Sequence, residues 1–194
     1  MSQSGEEISK KEKMPQLSHA KEIALCALMC ALLIVSSFIT VPFGPVPFTL
    51  QTFVMPLIIL LLEPKQVAET TGLYLLMGAI GLPVFSGMQG GLGHIVGPTG
   101  GFLVSYLLGG TFASFVRCAL YKRSGKRVLS DIISLAVFLI ICYALGWAWL
   151  MVAAQISAAA AFTSGVIPFI FIDIFKYIAA FAVTKVVRIA LKMN

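Results

Sequence analysis

The stretch from Val166 to Val183, VIPFIFIDIFKYIAAFAV, is apolar except for two charged side chains, Asp173 and Lys176. An apolar run of this length predicts a membrane-spanning helix, in which an unpaired charge is costly. At i,i+3 spacing the two side chains lie on the same side of the helix, about one turn apart. They can therefore pair with each other, as a structural ion pair that fixes helix register, or jointly contact a bound molecule. We expect the functional site here.

The composition extends this interpretation to the whole chain, because 59% of the 194 residues are apolar and only 11% are charged. Such a composition is typical of an integral membrane protein. We predict an all-α fold with six transmembrane helices in one bundle, over residues 23–41, 51–62, 66–82, 101–121, 132–152 and 166–187. The 51–62 run is short for a bilayer, so we expect it to be extended, tilted or broken around Pro56. Residues 1–20 are predicted to form a flexible cytoplasmic tail and 21–194 the transmembrane domain.

The positions of Lys and Arg predict the orientation, since cytoplasmic loops retain positive charge and short outer loops lack it. The loops at 42–50, 83–100 and 153–165 contain no Lys or Arg and are predicted to face outward, with both termini cytoplasmic. All basic residues except Lys176 fall at the opposite end: Lys10, Lys11, Lys13, Lys21, Lys65, Arg117, Lys122, Arg123, Lys126, Arg127, Lys185, Arg188 and Lys192. Orientation thus explains the net charge of +6, and nucleic-acid binding is not indicated.

Cofactor and enzyme signatures are not found in the sequence. The four cysteines, Cys26, Cys30, Cys118 and Cys142, lie within predicted spans and favour core packing over a zinc site. His94 has no companion at metal-ligand spacing, so it is interpreted as a loop residue. An intramembrane enzyme is disfavoured because Ser86 lacks a nucleophile motif and Asp173 has no acidic partner. The glycine-rich loop is not followed by GK[ST], so no ATPase site is expected.

That loop, Gly81 to Gly101, reads GLPVFSGMQGGLGHIVGPTGG and is apolar and free of charge apart from His94. Its glycines and prolines allow tight turns and close backbone approach to a neighbour. The loop is predicted either to cover a ligand pocket or to form a re-entrant segment packed against the helices.

Four segments follow one another along the chain: VPFTLQTF (Val46 to Phe53), GLPVFSG-x-x-GG (Gly81 to Gly91), GPTGGF (Gly97 to Phe102) and GVIPF-x-x-x-D-x-x-K (Gly165 to Lys176). In this order they resemble the BioY family, the biotin-specific S components of energy-coupling factor (ECF) transporters. The resemblance implies a high-affinity biotin-binding subunit of a bacterial or archaeal cell membrane. It implies uptake of biotin from outside with a transmembrane coupling subunit (T component) and two ATP-binding subunits. The alternative is a stand-alone facilitator or channel for a small solute.

The resemblance also implies a binding site on the outer side. Asp173 and Lys176 match the family pattern, Gln89 stands where some members have Asn, and Phe102 stands where Tyr is common. An Arg found in some members is replaced by Leu103, which leaves Lys176 as the outer cation for the biotin carboxylate or for Asp173. The remaining candidates are Thr49, Thr99, Phe85, Gly90 and Gly91, and for Phe43, Phe48, Phe85 and Phe102 ordinary packing remains an alternative.

Small residues recur along the first span at helical spacing, which places them roughly on one face: Ala20, Ala24, Ala27 and Ala31. Such a stripe permits close approach of another helix. In the family that the sequence resembles, an alanine stripe of this kind docks the coupling subunit. Contact with the chain's own helices is the alternative.

Overall fold

The computed structural model describes residues 19–192, and helices make up most of this part of the chain. The elements in chain order are α1 (His19–Phe38), β1 (Thr40–Val41), β2 (Phe48–Thr49), α2 (Gln51–Leu61), α3 (Pro64–Ala79), α4 (Leu92–Val96), α5 (Gly100–Ser124), α6 (Arg127–Ala153), α7 (Ala158–Gly165) and α8 (Ile167–Ala190). The predicted tail of residues 1–20 lies outside the described residues except for its last two, which already belong to α1.

Within the described residues, four helical stretches are long and apolar enough to cross a membrane: His19–Phe38, Gly100–Ser124, Arg127–Ala153 and Ala158–Ala190, the last of which joins α7 and α8. The helices at the other two predicted spans are shorter, with 11 residues in α2 and 16 in α3. The all-helical class is therefore confirmed. The count of six transmembrane helices and the cytoplasmic termini stay predictions.

Helix α2 is the most buried helix, with every residue from Val54 to Leu61 in the core. It remains helical through Pro56 and covers only Gln51–Leu61, so neither the expected extension nor a break at the proline occurs. The last carbonyls of a helix have no partner within it and must be satisfied from elsewhere at this depth.

An arginine clasp, formed by Arg117, Arg188 and Asp131, satisfies the end of α2. Arg117 donates from its two Nη atoms to the carbonyls of Leu60 and Leu62, each over 2.8 Å, and Arg188 Nη2 donates to Leu60 over 2.6 Å. Arg188 Nη2 also lies 3.1 Å from Asp131 Oδ1. Arg117 and Arg188 lie at the basic end but are buried. Their hydrogen bonds to the backbone carbonyls at the end of α2 stabilise the two charged groups there.

The loops at the opposite end hold more regular structure than the sequence predicted. The first forms a short antiparallel hairpin in which Thr40 pairs with Thr49 and Val41 with Phe48. The second contains α4, and the third contains α7. These pieces were missed because two-residue strands and helices of five or eight residues carry too little periodicity to be recognised.

Two glycines of the GPTGG segment allow α5 to approach α6 closely. A Cβ at Gly101 would lie 2.5 Å from the carbonyl oxygen of Leu145, and one at Gly100 would lie 2.8 Å from Trp149 Nε1. Trp149 also donates to the carbonyl of Gly97 over 3.0 Å. This close contact fixes the start of α5, where two of the candidate site residues are found.

Candidate functional site

An inner cavity lies among the first loop and helices α2, α5, α6 and α8, at the end of the bundle whose loops lack Lys and Arg. The space between its atoms, counted to its open mouth, is about 550 Å³. Six predicted residues line it: Phe48, Thr49, Thr99, Phe102, Asp173 and Lys176.

Helix α8 turns its two charged residues away from the apolar outer surface. Asp173 is 4% exposed, whereas its neighbours Ile172 and Ile174 are 45% and 42% exposed. The helical period that exposes these isoleucines directs Asp173 and Lys176 to the cavity. The charged face expected from the sequence therefore points inward.

Asp173 accepts hydrogen bonds from three side chains on three elements. Thr52 donates to Oδ1 over 2.7 Å, Tyr143 donates to Oδ2 over 2.7 Å, and Lys176 Nζ lies 3.1 Å from Oδ1. An ionised carboxylate has about four acceptor positions. One position, on Oδ2, therefore remains for a donor that enters the cavity.

Lys176 is held from the first loop and from α2. Its Nζ donates to the carbonyl of Thr49 over 2.7 Å and to Thr52 Oγ1 over 2.8 Å. It also lies 3.8 Å from the centre of the Phe48 ring, within the range of a cation–π contact. All three N–H groups of the ammonium have acceptors, so a ligand that meets Lys176 must replace one of these bonds.

An outer vestibule continues from this cavity between the first and second loops, with about 1,150 Å³ of space including its open side. The predicted residues Gln89 and Gly90 line the vestibule rather than the inner cavity. Pro47, Ser86 and Thr99 line both spaces and so form the boundary between them.

Phe43 lines neither space, and its ring packs edge-on against that of Phe169 with centres 6.0 Å apart. Two predicted residues of the second loop also line neither space. Phe85 is fully buried beneath the second loop, where its ring centre lies 5.5 Å from that of Tyr74 and 5.3 Å from that of His94. Gly91 precedes α4 with φ of 94°, a conformation that favours glycine. Phe85 and Gly91 therefore affect the shape of the second loop without facing the inner cavity or the vestibule.

Several residues of the cavity were not predicted. Thr52 and Gln51 lie inside the quoted VPFTLQTF segment, and Gln51 bonds to the Tyr74 hydroxyl over 2.5 Å. Tyr143 sits in the middle of α6, in an apolar run without a motif, so no local signal identified it. Other residues found only from the structure are Tyr106, Cys142 and Phe169.

The alanine stripe of α1 faces away from the rest of the molecule. Ala20, Ala24, Ala27 and Ala31 are all exposed, while Leu25, Met29 and Leu33 of the same helix are buried. Within the described residues, the stripe is thus not covered by the chain's own helices.

Among residues 19–192, no group of three or more His, Cys, Asp or Glu side chains is placed to hold a metal ion. The chemistry available at the cavity is hydrogen bonding, one ion pair and aromatic contact.

The model of the BioY family matches residues 9–193. The chain belongs to the BioY family. BioY relatives with curated names include the probable biotin transporter BioY of Pyrococcus horikoshii, which is 40% identical over 166 residues, covering 86% of this chain and 95% of the relative. The biotin transporter BioY of Thermotoga maritima is 33% identical over 165 residues, covering 82% of this chain and 91% of the relative.

The BioY fold seen here is also similar to a solved structure, the crystal structure of the S component for biotin from an ECF-type ABC transporter. The two superpose with a TM-score of 0.79 at 27% sequence identity, over 89% of this chain and 95% of that one. Most of the described chain therefore has a counterpart in that fold.

Proposed function

We propose that this protein is the biotin-binding S component of an ECF-type ABC importer. The observation that carries the proposal is the Asp173–Lys176 pair, buried beside a cavity in a chain that belongs to the BioY family. The names of its relatives and of the similar solved structure support biotin as the ligand.

The cavity fits the chemistry of biotin. The ureido group offers two N–H donors and a carbonyl, and Asp173 Oδ2 has one acceptor position left for such an N–H. Lys176 is assigned to the ureido carbonyl or to the carboxylate. Thr49, Thr99 and Gln89 supply further polar groups, and Phe48, Phe102 and Phe169 supply apolar walls for the bicycle and chain.

The proposed orientation places the cavity on the outer side of the cell membrane and both termini in the cytoplasm. Support comes from the absence of Lys and Arg in loops 42–50, 83–100 and 153–165, all at the cavity end. Six transmembrane helices are proposed, with α2 and α3 spanning less of the bilayer than the others and α2 closed at its basic end by the arginine clasp.

Energy for uptake is proposed to come from partner proteins. The sequence contains no nucleotide-binding motif, so ATP hydrolysis is assigned to two ATP-binding subunits, joined through a T component. The exposed alanine stripe on α1 is proposed as the surface where the T component docks, because small side chains allow a helix to approach closely.

A binding titration tests the proposed ligand. The full-length protein, purified in detergent, is titrated with biotin, biotin methyl ester, thiamine and riboflavin. We expect biotin to bind with the highest affinity and the other vitamins not to compete. Equal or tighter binding of thiamine or riboflavin would contradict the proposal.

An uptake assay separates the S component from a stand-alone facilitator. In vesicles containing this chain alone, biotin uptake should be much slower than in vesicles that also contain the T component, both ATP-binding subunits and ATP. Packed side chains of α2 lie beyond Gln51 and Thr52 on the way to the basic end, which favours the S component. Equal rates with and without the partners would favour the facilitator.

A further inference from the structure

The imidazole of His94 connects a residue of the vestibule with a residue at the boundary to the inner cavity. Its Nδ1 lies 2.9 Å from Oε1 of Gln89 in the vestibule, and its Nε2 lies 3.3 Å from Oγ1 of Thr99 at the boundary with the inner cavity. Its ring is stacked on Phe85 with centres 5.3 Å apart and planes 18° apart. Three candidate site residues therefore contact one histidine.

We propose that neutral His94 is a positioning residue, which orients Gln89 and Thr99 for the ligand and makes binding weaken when the imidazole is protonated. This inference rests on the proposed function, because biotin is the ligand whose binding it describes. His94 itself is not assigned a direct contact with biotin.

The proton positions explain why the charge of the ring matters. A neutral imidazole has one donor and one acceptor nitrogen. With Nδ1–H donating to Gln89 Oε1, Nε2 accepts from the Thr99 hydroxyl, which leaves the Gln89 amide N–H groups and the Thr99 oxygen free for a ligand. Protonation turns both ring nitrogens into donors, so the Thr99 hydroxyl must reverse and accept from Nε2.

Burial gives the direction of the pH dependence. Partial burial lowers the pKa of His94 below its ordinary value, because desolvation disfavours the charged ring. A ligand that covers the vestibule removes more water from the ring and favours the neutral form further. By linkage, the ligand binds the neutral form more tightly, and affinity falls as the pH drops through the pKa of His94.

The surroundings of His94 contain few other groups that titrate. Among the described residues that line the vestibule, from both loops and the start of α5, none besides His94 is charged or titratable. Behind Phe85, α3 contributes the hydroxyl of Tyr74. Beyond Thr99, the inner cavity contributes Tyr106, Cys142, Tyr143, Asp173 and Lys176. Their effects are shared by variants at position 94 and cancel when those variants are compared with the wild type.

The test is a set of biotin titrations of the full-length protein at pH values between about 7.5 and about 5.0, a range that extends well below the ordinary histidine pKa of about 6.5 because burial lowers the pKa of His94. We expect the wild-type Kd to rise at least about threefold across this range. His94→Asn keeps a donor for Gln89 but does not titrate. It should bind more weakly than the wild type at the upper pH, and its Kd should rise less on acidification than that of the wild type.

A matched control is His19→Asn, since His19 is the other histidine of the chain and lies at the far end of α1. It should keep the wild-type pH profile. The inference is overturned by a His94→Asn profile that follows the wild type, or by a wild-type affinity that stays constant or rises in acid. A wild type that fails to bind biotin at the upper pH would instead overturn the proposed function, and this inference with it.

Should His94→Asn fail to fold, Thr99→Val gives an independent test because it removes the partner of Nε2. Its acid-induced loss of affinity should be smaller than that of the wild type. An equal loss would contradict the role assigned to the His94–Thr99 bond.

Discussion

The hydroxyl of Tyr143 on α6 donates to Oδ2 of Asp173 on α8 over 2.7 Å, which ties two helices together inside the cavity. A hydrogen bond to a charged group contributes more than one between neutral groups, about 1.5–3 kcal/mol. The same bond fixes the rotation of the carboxylate and thereby the direction of its remaining acceptor position. Tyr143 is therefore expected to support ligand binding through Asp173.

Replacement of this hydroxyl tests that expectation. Tyr143→Phe keeps the ring beside Phe102, whose centre is 6.5 Å away, and frees the Asp173 carboxylate to turn. We expect the Kd for biotin to rise roughly threefold to tenfold, about 0.7–1.4 kcal/mol, in an equilibrium titration. Tyr121→Phe, at the basic end of α5, serves as the control and should bind like the wild type. Unchanged affinity in Tyr143→Phe would show that the carboxylate needs no such support.

Loss of either charge of the Asp173–Lys176 pair should weaken biotin binding more than loss of the Tyr143 hydroxyl. Asp173→Ala or Lys176→Ala leaves the other charge without its partner and removes a group assigned to the ligand. We expect each to weaken biotin binding at least about tenfold, on the order of 1.4 kcal/mol, in a protein that remains folded.

Lys65→Ala is the matched control for the charge pair, because Lys65 forms an exposed ion pair with Glu69 over 3.6 Å, which contributes little. Its affinity for biotin should not change. If both Asp173→Ala and Lys176→Ala bind biotin as tightly as the wild type, the pair has a structural role alone.

The position of Phe102 depends on a glycine across the helix interface. Gly146 on α6 lies against the Phe102 ring, and a Cβ there would overlap it. Gly146→Ala should therefore push the ring into the inner cavity, at a cost of about 1–3 kcal/mol as for other overpacked sites. The expected result is weaker biotin binding in the titration.

Gly72→Ala provides the comparison for Gly146, since a Cβ at this helical glycine would have its nearest contact 3.9 Å away, at Leu107 Cδ1. It should leave binding unchanged and slightly favour the helix. Equal affinities of Gly146→Ala and Gly72→Ala would mean that Phe102 does not shape the binding site.

The alanine stripe should affect assembly and not binding. Ala27→Leu with Ala31→Leu fills the exposed face of α1 and prevents close approach of another helix. We expect normal biotin titrations but a clear loss of the T component in copurification from membranes. The control is Ala179→Leu, which enlarges an exposed alanine on α8 and should copurify with the T component as the wild type does. Normal copurification of the double variant would exclude the stripe as the docking surface.

The arginine clasp is expected to stabilise the fold. Asp131→Ala removes the carboxylate partner of Arg188 at a buried position, and breaking such a pair typically costs about 3–5 kcal/mol. A thermal unfolding assay in detergent should show a lower melting temperature. Lys122→Ala, an exposed basic residue at the same end, should melt like the wild type. An unchanged melting temperature for Asp131→Ala would show that the clasp does not contribute to stability.

Much of the fold was predictable because membrane helices depend on local composition. The apolar run around Asp173 and Lys176 does form a helix with both charges on one face, as the i,i+3 spacing predicts. The apolar run at α2 was visibly short, but the extension or break expected there is not found, because the helix ends at Leu61 and continues through Pro56. The hairpin formed by Thr40–Val41 and Phe48–Thr49 was not predictable, because strands of two residues are too short to show an alternation of polar and apolar side chains.

The site was predictable only in part. The sequence alone predicted the charged pair, the end of the helices at which the cavity lies and, through resemblance, residues such as Thr99 and Phe102, and their roles in binding stay predictions. The tertiary structure decided that Thr52 and Tyr143 meet Asp173, that His94 joins Gln89 to Thr99, and that Arg117 and Arg188 close α2. Helix periodicity sets which face a residue occupies, but the partners of Asp173 on other helices and those of the arginines, 30 to 128 residues away, are set by how the helices pack. The contacts of His94 with Gln89 and Thr99, each only five residues away, depend on how the second loop folds.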